Sequence, residues 1–104
     1  MTALRVFFCN CSQEEAPALA RALVTERLAA CVNLIPNVQS VYRWEGKICE
    51  DMETTLLIKT SPDRSEELMN RLAELHSYDV PEILGLDTAE VSQAYAEWVH
   101  DEIR

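Results

Sequence analysis

Glycine is almost missing from this 104-residue chain, with two in all, and histidine is equally scarce. So few glycines exclude a backbone phosphate cradle, which needs several residues free to adopt positive φ. The Gly-rich phosphate loop, the Gly-x-Ser-x-Gly elbow and the His-Glu-x-x-His metal helix are all absent, so no enzyme signature is present and a non-enzyme is expected. No apolar run approaches ~18 residues, which excludes a hydrophobic membrane-spanning helix. The opening Met1-Thr2-Ala3-Leu4-Arg5 lacks the long apolar core of an export signal. Basic residues are few as well: nine Lys+Arg against eighteen Asp+Glu give a formal net charge of −9. Such a surface repels phosphates and anionic lipids, so nucleic acid and membranes are excluded as general partners and cations are favoured. The expectation is a cytoplasmic protein whose four cysteines (Cys9, Cys11, Cys31, Cys49) are reduced thiols.

What is there is a globular composition, 48% hydrophobic and 26% charged, with no repeat or linker, consistent with one domain over residues 1–104. Leu4 to Cys11 reads as an interior strand, apolar on both faces at its centre. Ser12-Gln13-Glu14-Glu15 reads as a capping box opening a helix, which Pro17 delays by a residue or two. Cys31 to Tyr42 is a second strand, with Pro36 forcing an edge position, a bulge or a kink. Glu45-Gly46-Lys47 is a turn, and Ile48 to Thr60 the returning strand. Ser61-Pro62-Asp63 opens a helix that buries Leu68, Met69, Leu72 and Leu75. A short strand, Glu82 to Leu86, follows Val80-Pro81. Asp87-Thr88-Ala89-Glu90 reads as a capping box for a last helix with Val91, Ala94, Tyr95, Trp98 and Val99 inward. The order βαββαβα predicts an α+β, ferredoxin-like antiparallel sheet with helices on one face, plus an added C-terminal helix.

The hairpin is too long for its domain. Lys47 to Thr60 would span roughly 45 Å at about 3.3 Å per residue, whereas a domain of this size has a radius of gyration of about 13 Å. An isolated two-stranded arm is marginal in water. With Val41, Tyr42 and Trp44 near its tip, the arm is expected to pack on a neighbouring subunit, a bulge folding it back being the alternative.

Cys9 and Cys11, two apart on a strand, share one face and are within reach of one soft ion such as Cu(I); the other reading is a pair of buried small apolar residues. Cys31, between Ala30 and Val32, suggests a core thiol. His100, beside Asp101 and Glu102, reads as surface. The acidic pairs read as solvated faces able to hold hard divalent ions weakly.

The blocks RLAACVNLIPNVQSVYRWEGKI (Arg27 to Ile48), ETTLLIKT (Glu53 to Thr60) and YDVPEILGL (Tyr78 to Leu86) closely resemble the CutA family of divalent-cation tolerance proteins. That resemblance implies a ferredoxin-like homotrimer interlocked through its hairpins, similar in architecture to PII proteins, and a link to copper and other divalent-metal tolerance. It also implies copper ligands. Cys9 looks like the family's cysteine at the end of the first strand and His76 like the second of two adjacent histidines. Leu75 stands at the other His position, and Cys11 is the candidate substitute third ligand. Finally, Tyr42, Trp44, Lys59, Glu82 and Tyr95 look like positions that gather around an intersubunit cleft in the family. A small anion or metabolite could bind there, as in a PII-like signalling or scaffold module, although Tyr42 and Trp44 read rather as interface anchors. Lys59, on an apolar strand, is expected to pair with the Glu82 carboxylate. Cys49 matches no family feature.

Overall fold

The computed structural model describes residues 3–104, running β1 (Arg5–Cys11), α1 (Ala16–Thr25), β2 (Cys31–Trp44), β3 (Lys47–Thr60), α2 (Ser65–Leu75), β4 (Ile83–Asp87) and α3 (Gln93–Glu102). A 3-10 turn, Pro62–Arg64, leads into α2. The strands make one antiparallel sheet in the order β2-β3-β1-β4, the ferredoxin-like plan with a closing helix.

Strand alternation sorts the side chains. Phe7, Cys9 and Cys11 of β1, with Leu56 and Ile58 of β3, enter a core closed by Leu19, Ala20 and Leu23 of α1 and Leu68 and Leu72 of α2. The register sets Phe7 opposite Ile58 and Cys9 opposite Leu56. A Cβ on Gly85 would meet the Phe7 ring at 2.8 Å, so β4 needs glycine where it crosses that ring. On the other face Val6, Phe8 and Leu57 are only half-buried, and Leu84 and Leu86 of β4 are each 56% exposed.

The first helix starts as its sequence implies. Ser12 N–H donates to Glu15 Oε2 (3.1 Å) and Glu15 N–H donates to Ser12 Oγ (3.2 Å), the reciprocal capping box. Helical structure begins at Ala16, so Pro17 falls in the first turn, where its missing N–H costs little. Pro36 produces the bulge: pairing shifts between Ile35 and Val38, Asn37 takes φ 60°, and its N–H donates to Gln13 Oε1. Beyond the bulge β2 and β3 stay paired out to Trp44 and Lys47, closed by Glu45 (φ 50°) and Gly46 (φ 79°) in the tight two-residue turn that hairpin twist favours. The arm therefore projects instead of folding back, and the chain measures 44 × 26 × 22 Å.

Two expectations fail. The last helix does not start at Asp87–Glu90: Asp87 Oδ1 instead meets Arg5 Nε at 2.7 Å, and Thr88 Oγ1 donates to Leu4 O while accepting from Leu4 N–H, both at 3.2 Å. These long-range bonds tie β4 to β1, and Ser92 Oγ caps α3 by accepting from Tyr95 N–H. With the later start, the buried stripe is Ala96, Val99 and Ile103 on Leu4 and Ala30, while Ala94, Tyr95 and Trp98 face outward. In α2, Met69 is exposed, because Leu68 and Leu72 already fill the core stripe.

Candidate functional site

Asn10 lies between the two cysteines of β1, and its carbonyl is where the candidate metal ligands meet. Cys9 Sγ lies 3.8 Å from Asn10 O, and His76 Nε2 lies 2.9 Å from it. Cys11 Sγ lies 3.7 Å from Thr54 O. His76 leaves the end of α2 with its N–H on Leu72 O, and its Nδ1 accepts from Tyr78 N–H at 3.2 Å. An amide can only donate, so Nε2 carries the ring proton and donates to Asn10 O. Both thiols have no solvent exposure. Burial pushes Cys9 up to about 12, with help from Cys11, Glu82, Glu15 and Glu53. Burial does the same to Cys11, also to about 12, with help from Glu15 and Glu53. The three residues thus neighbour one another, yet each donor atom is protonated or already hydrogen-bonded. Among the described residues no three His, Cys, Asp or Glu side chains are grouped to hold a metal ion. As folded, the trio is closed and is not a preformed metal site.

The segment after α2 seals this place. Glu15, already the helix cap, also accepts from Ser77 N–H (3.1 Å) and Ser77 Oγ (2.8 Å). Burial raises its carboxyl, but the Ser77 and Ser12 hydrogen bonds outweigh that and hold it below the usual carboxylate range. Tyr78 Oη donates to Glu53 Oε2 at 2.8 Å, which gives the buried Glu53 carboxylate a donor. Burial and that carboxylate keep the Tyr78 phenol protonated. Asn10 Nδ2 donates to Glu82 Oε1, and Thr55 Oγ1 donates to Asn10 Oδ1. Glu53, Asn10 and Tyr78 do not stand out from the sequence as site residues, and Glu15 stands out only as part of a helix cap. The available signal was an Asn placed between two cysteines on an otherwise apolar strand.

Between this segment and the arm lies a cleft of about 610 Å³, lined by Asn10, Ser40, Val41, Tyr42, Trp44, Asp51, Glu53, Tyr78, Asp79, Val80 and Glu82. Tyr42 donates to Asp51, which pushes its phenol up to about 12. Three of the five expected cleft residues, Tyr42, Trp44 and Glu82, meet here. The other two do not. Lys59 lies four positions along β3 from Thr55, about 13 Å away at ~3.3 Å per residue. Its ammonium contacts Cys31 Sγ (3.8 Å) and Asn33 Oδ1, while burial, with help from Cys31, raises the Tyr95 phenol. The expected Lys59–Glu82 pair therefore does not form within one chain. Cys31 is half-buried, because it leaves the sheet on the thinly covered face. His100 is only partly exposed, with Nε2 enclosed and unpartnered among the described residues.

Residues 5–102 match the family described as CutA1 divalent ion tolerance protein. The chain is similar to the divalent-cation tolerance protein CutA of Thermus thermophilus, 47% identical over 90 residues that cover 86% of this chain and 87% of that one. It is also similar to the chloroplastic CutA protein of Arabidopsis thaliana, 42% identical over 93 residues. That match covers 89% of this chain and 51% of the plant protein, so the chain spans about half the length of that relative. Its fold is similar to the PII-like protein CutA from Nostoc, with TM-score 0.92 and 35% identity over 96% of this chain and 97% of that one.

Proposed function

The chain belongs to the CutA1 divalent ion tolerance family, and from that footing we propose that it serves metal-ion tolerance as a copper-binding homotrimer, in a binding and not a catalytic role. The observation that carries the reading is the arm: Val41 (63% exposed) and Ile48 (61%) lie beyond the bulge with Trp44 and Met52, on a molecule 44 Å long. Apolar strands projecting from a small core gain little unless neighbouring copies cover them. Copper(I) is the cation suited to Cys9, Cys11 and His76, and other divalent cations are held more weakly by carboxylates. The closed packing makes uptake conditional. The thiol protons must leave, and the segment from His76 to Glu82 must part from Asn10, Glu15 and Glu53. The setting proposed is the cytoplasm, where thiols stay reduced; among the described residues no helix is long and apolar enough to cross a membrane.

A Cu(I) competition titration on the reduced protein, beside Cys9→Ser and His76→Ala and with assembly checked in each, tests the donor set. Stoichiometric binding lost in both variants is expected; binding indifferent to both overturns it. The 610 Å³ cleft favours a second reading, a PII-like module that holds a small ligand. In it, Tyr42, Trp44 and Glu82 of one subunit would meet Lys59 and Tyr95 of another. There Lys59→Ala would abolish ligand-induced thermal stabilisation while Cys9→Ser would leave it intact.

A further inference from the structure

Cys31 opens β2 directly opposite Lys59 of β3, so both side chains leave the same face of the sheet. Lys59 Nζ lies 3.8 Å from Cys31 Sγ and also donates to Asn33 Oδ1. Unlike Cys9 and Cys11, both residues are partly exposed. Neither reading of the function uses Cys31.

A thiol that meets peroxide becomes a sulfenic acid, and its fate depends on the nearest nucleophile. No second thiol in the chain is placed to resolve it. Cys9 and Cys11 leave β1 on the opposite face, under the helices. Cys49 lies ten residues from Lys59 along β3, about 33 Å at ~3.3 Å per residue. The nucleophile in contact with Cys31 is the Lys59 amine.

We propose that Cys31 and Lys59 form a peroxide-driven covalent cross-link, a sulfenamide, joining the start of β2 to the end of β3. In the first step the Cys31 sulfur attacks hydrogen peroxide and takes one oxygen. The thiol is oxidised to sulfenic acid, and the peroxide is reduced, leaving as water. In the second, the neutral form of the Lys59 amine attacks the sulfur. The S–N bond forms, the S–O bond breaks, and hydroxide leaves with an amine proton as a second water. The net change is the loss of one hydrogen from each residue. Thiol reductants reverse it, since a thiolate attacks the sulfur and expels the amine. The link also removes the Lys59 charge, and so ties that charge to the oxidation state of Cys31.

The test treats reduced wild-type protein with hydrogen peroxide and reads intact mass and a non-reducing tryptic map, with Cys31→Ser and Lys59→Arg in parallel. The expected product is lighter by two hydrogens, carries the Cys31 and Lys59 peptides joined, resists trypsin at Lys59 and returns to the starting mass with dithiothreitol. Cys31→Ser should lose it entirely. Lys59→Arg, which keeps the charge but has no attacking amine, should instead leave a Cys31 sulfenic acid that dimedone traps. A wild-type map joining Cys31 to another cysteine, or showing it unoxidised or oxidised without a link to Lys59, overturns the proposal. So does an unchanged product in Lys59→Arg.

Discussion

Cys9 and Cys11 carry the softest donors in the chain, and burial decides what they can do. With no solvent exposure and both pushed up to about 12, they remain thiols throughout the physiological range. Since the thiolate is the reactive form, an alkylating reagent at pH 8 should modify Cys31 and Cys49 while leaving Cys9 and Cys11 unlabelled until the protein is unfolded. Peptide mapping reads this, and native-state labelling of Cys9 at the rate of Cys49 would contradict it. Glu15 makes a second prediction. Its folded carboxyl sits below the ordinary range, so the folded state binds fewer protons there than the unfolded state. The stability it contributes is fully present above the ordinary carboxylate value of about 4.3 and is lost as pH falls through the folded value. Relative to Glu15→Gln, wild type should be more stable at pH 6, with the gap closing below about pH 4. Urea midpoints at matched protein concentration measure it; a gap independent of pH would contradict it.

Among the elements, the hairpin departs furthest from what one subunit needs. Ile48 is 61% exposed, and an exposed substitution in a free chain changes stability by no more than about 0.5 kcal/mol. Buried between copies, a charge there costs association by several-fold more. Ile48→Glu should therefore leave subunit secondary structure intact but shift the assembly toward smaller species on dilution; an unshifted dilution profile would show the arm tip uncovered in the assembly. The elements also mark how far the sequence was legible. Local signals read true: the Ser12–Glu15 box, the Pro36 bulge and the Glu45-Gly46 turn each depend on residues a few positions apart. Distant partners were invisible. Asp87 and Thr88 look like a cap, but Arg5 and Leu4 claim them from the other end of the chain. Lys59 was expected beside a carboxylate, and the register of β2 against β3 gives it Cys31 and Asn33. Cys31 looks like core because apolar Ala30 and Val32 flank it, although its own side chain turns to the thinly covered face.

Across the whole molecule, two features pull in opposite directions. A net charge of −9 on 104 residues makes like chains repel one another. The arm and the exposed Leu84 and Leu86 leave apolar surface that only close neighbours can cover. At physiological salt that repulsion is largely screened beyond about 8 Å, so it acts only near contact, where it competes with burial of the apolar surface. The candidate cleft follows the same logic: one chain divides Tyr42, Trp44 and Glu82 from Lys59 and Tyr95, and assembly is what would reunite them. Assembly is thus the claim on which the others depend. Light scattering on the purified reduced protein, coupled to size exclusion, tests it directly. The expected mass is that of three chains, unchanged over a wide dilution range, whereas a single-chain mass at micromolar concentration would contradict it.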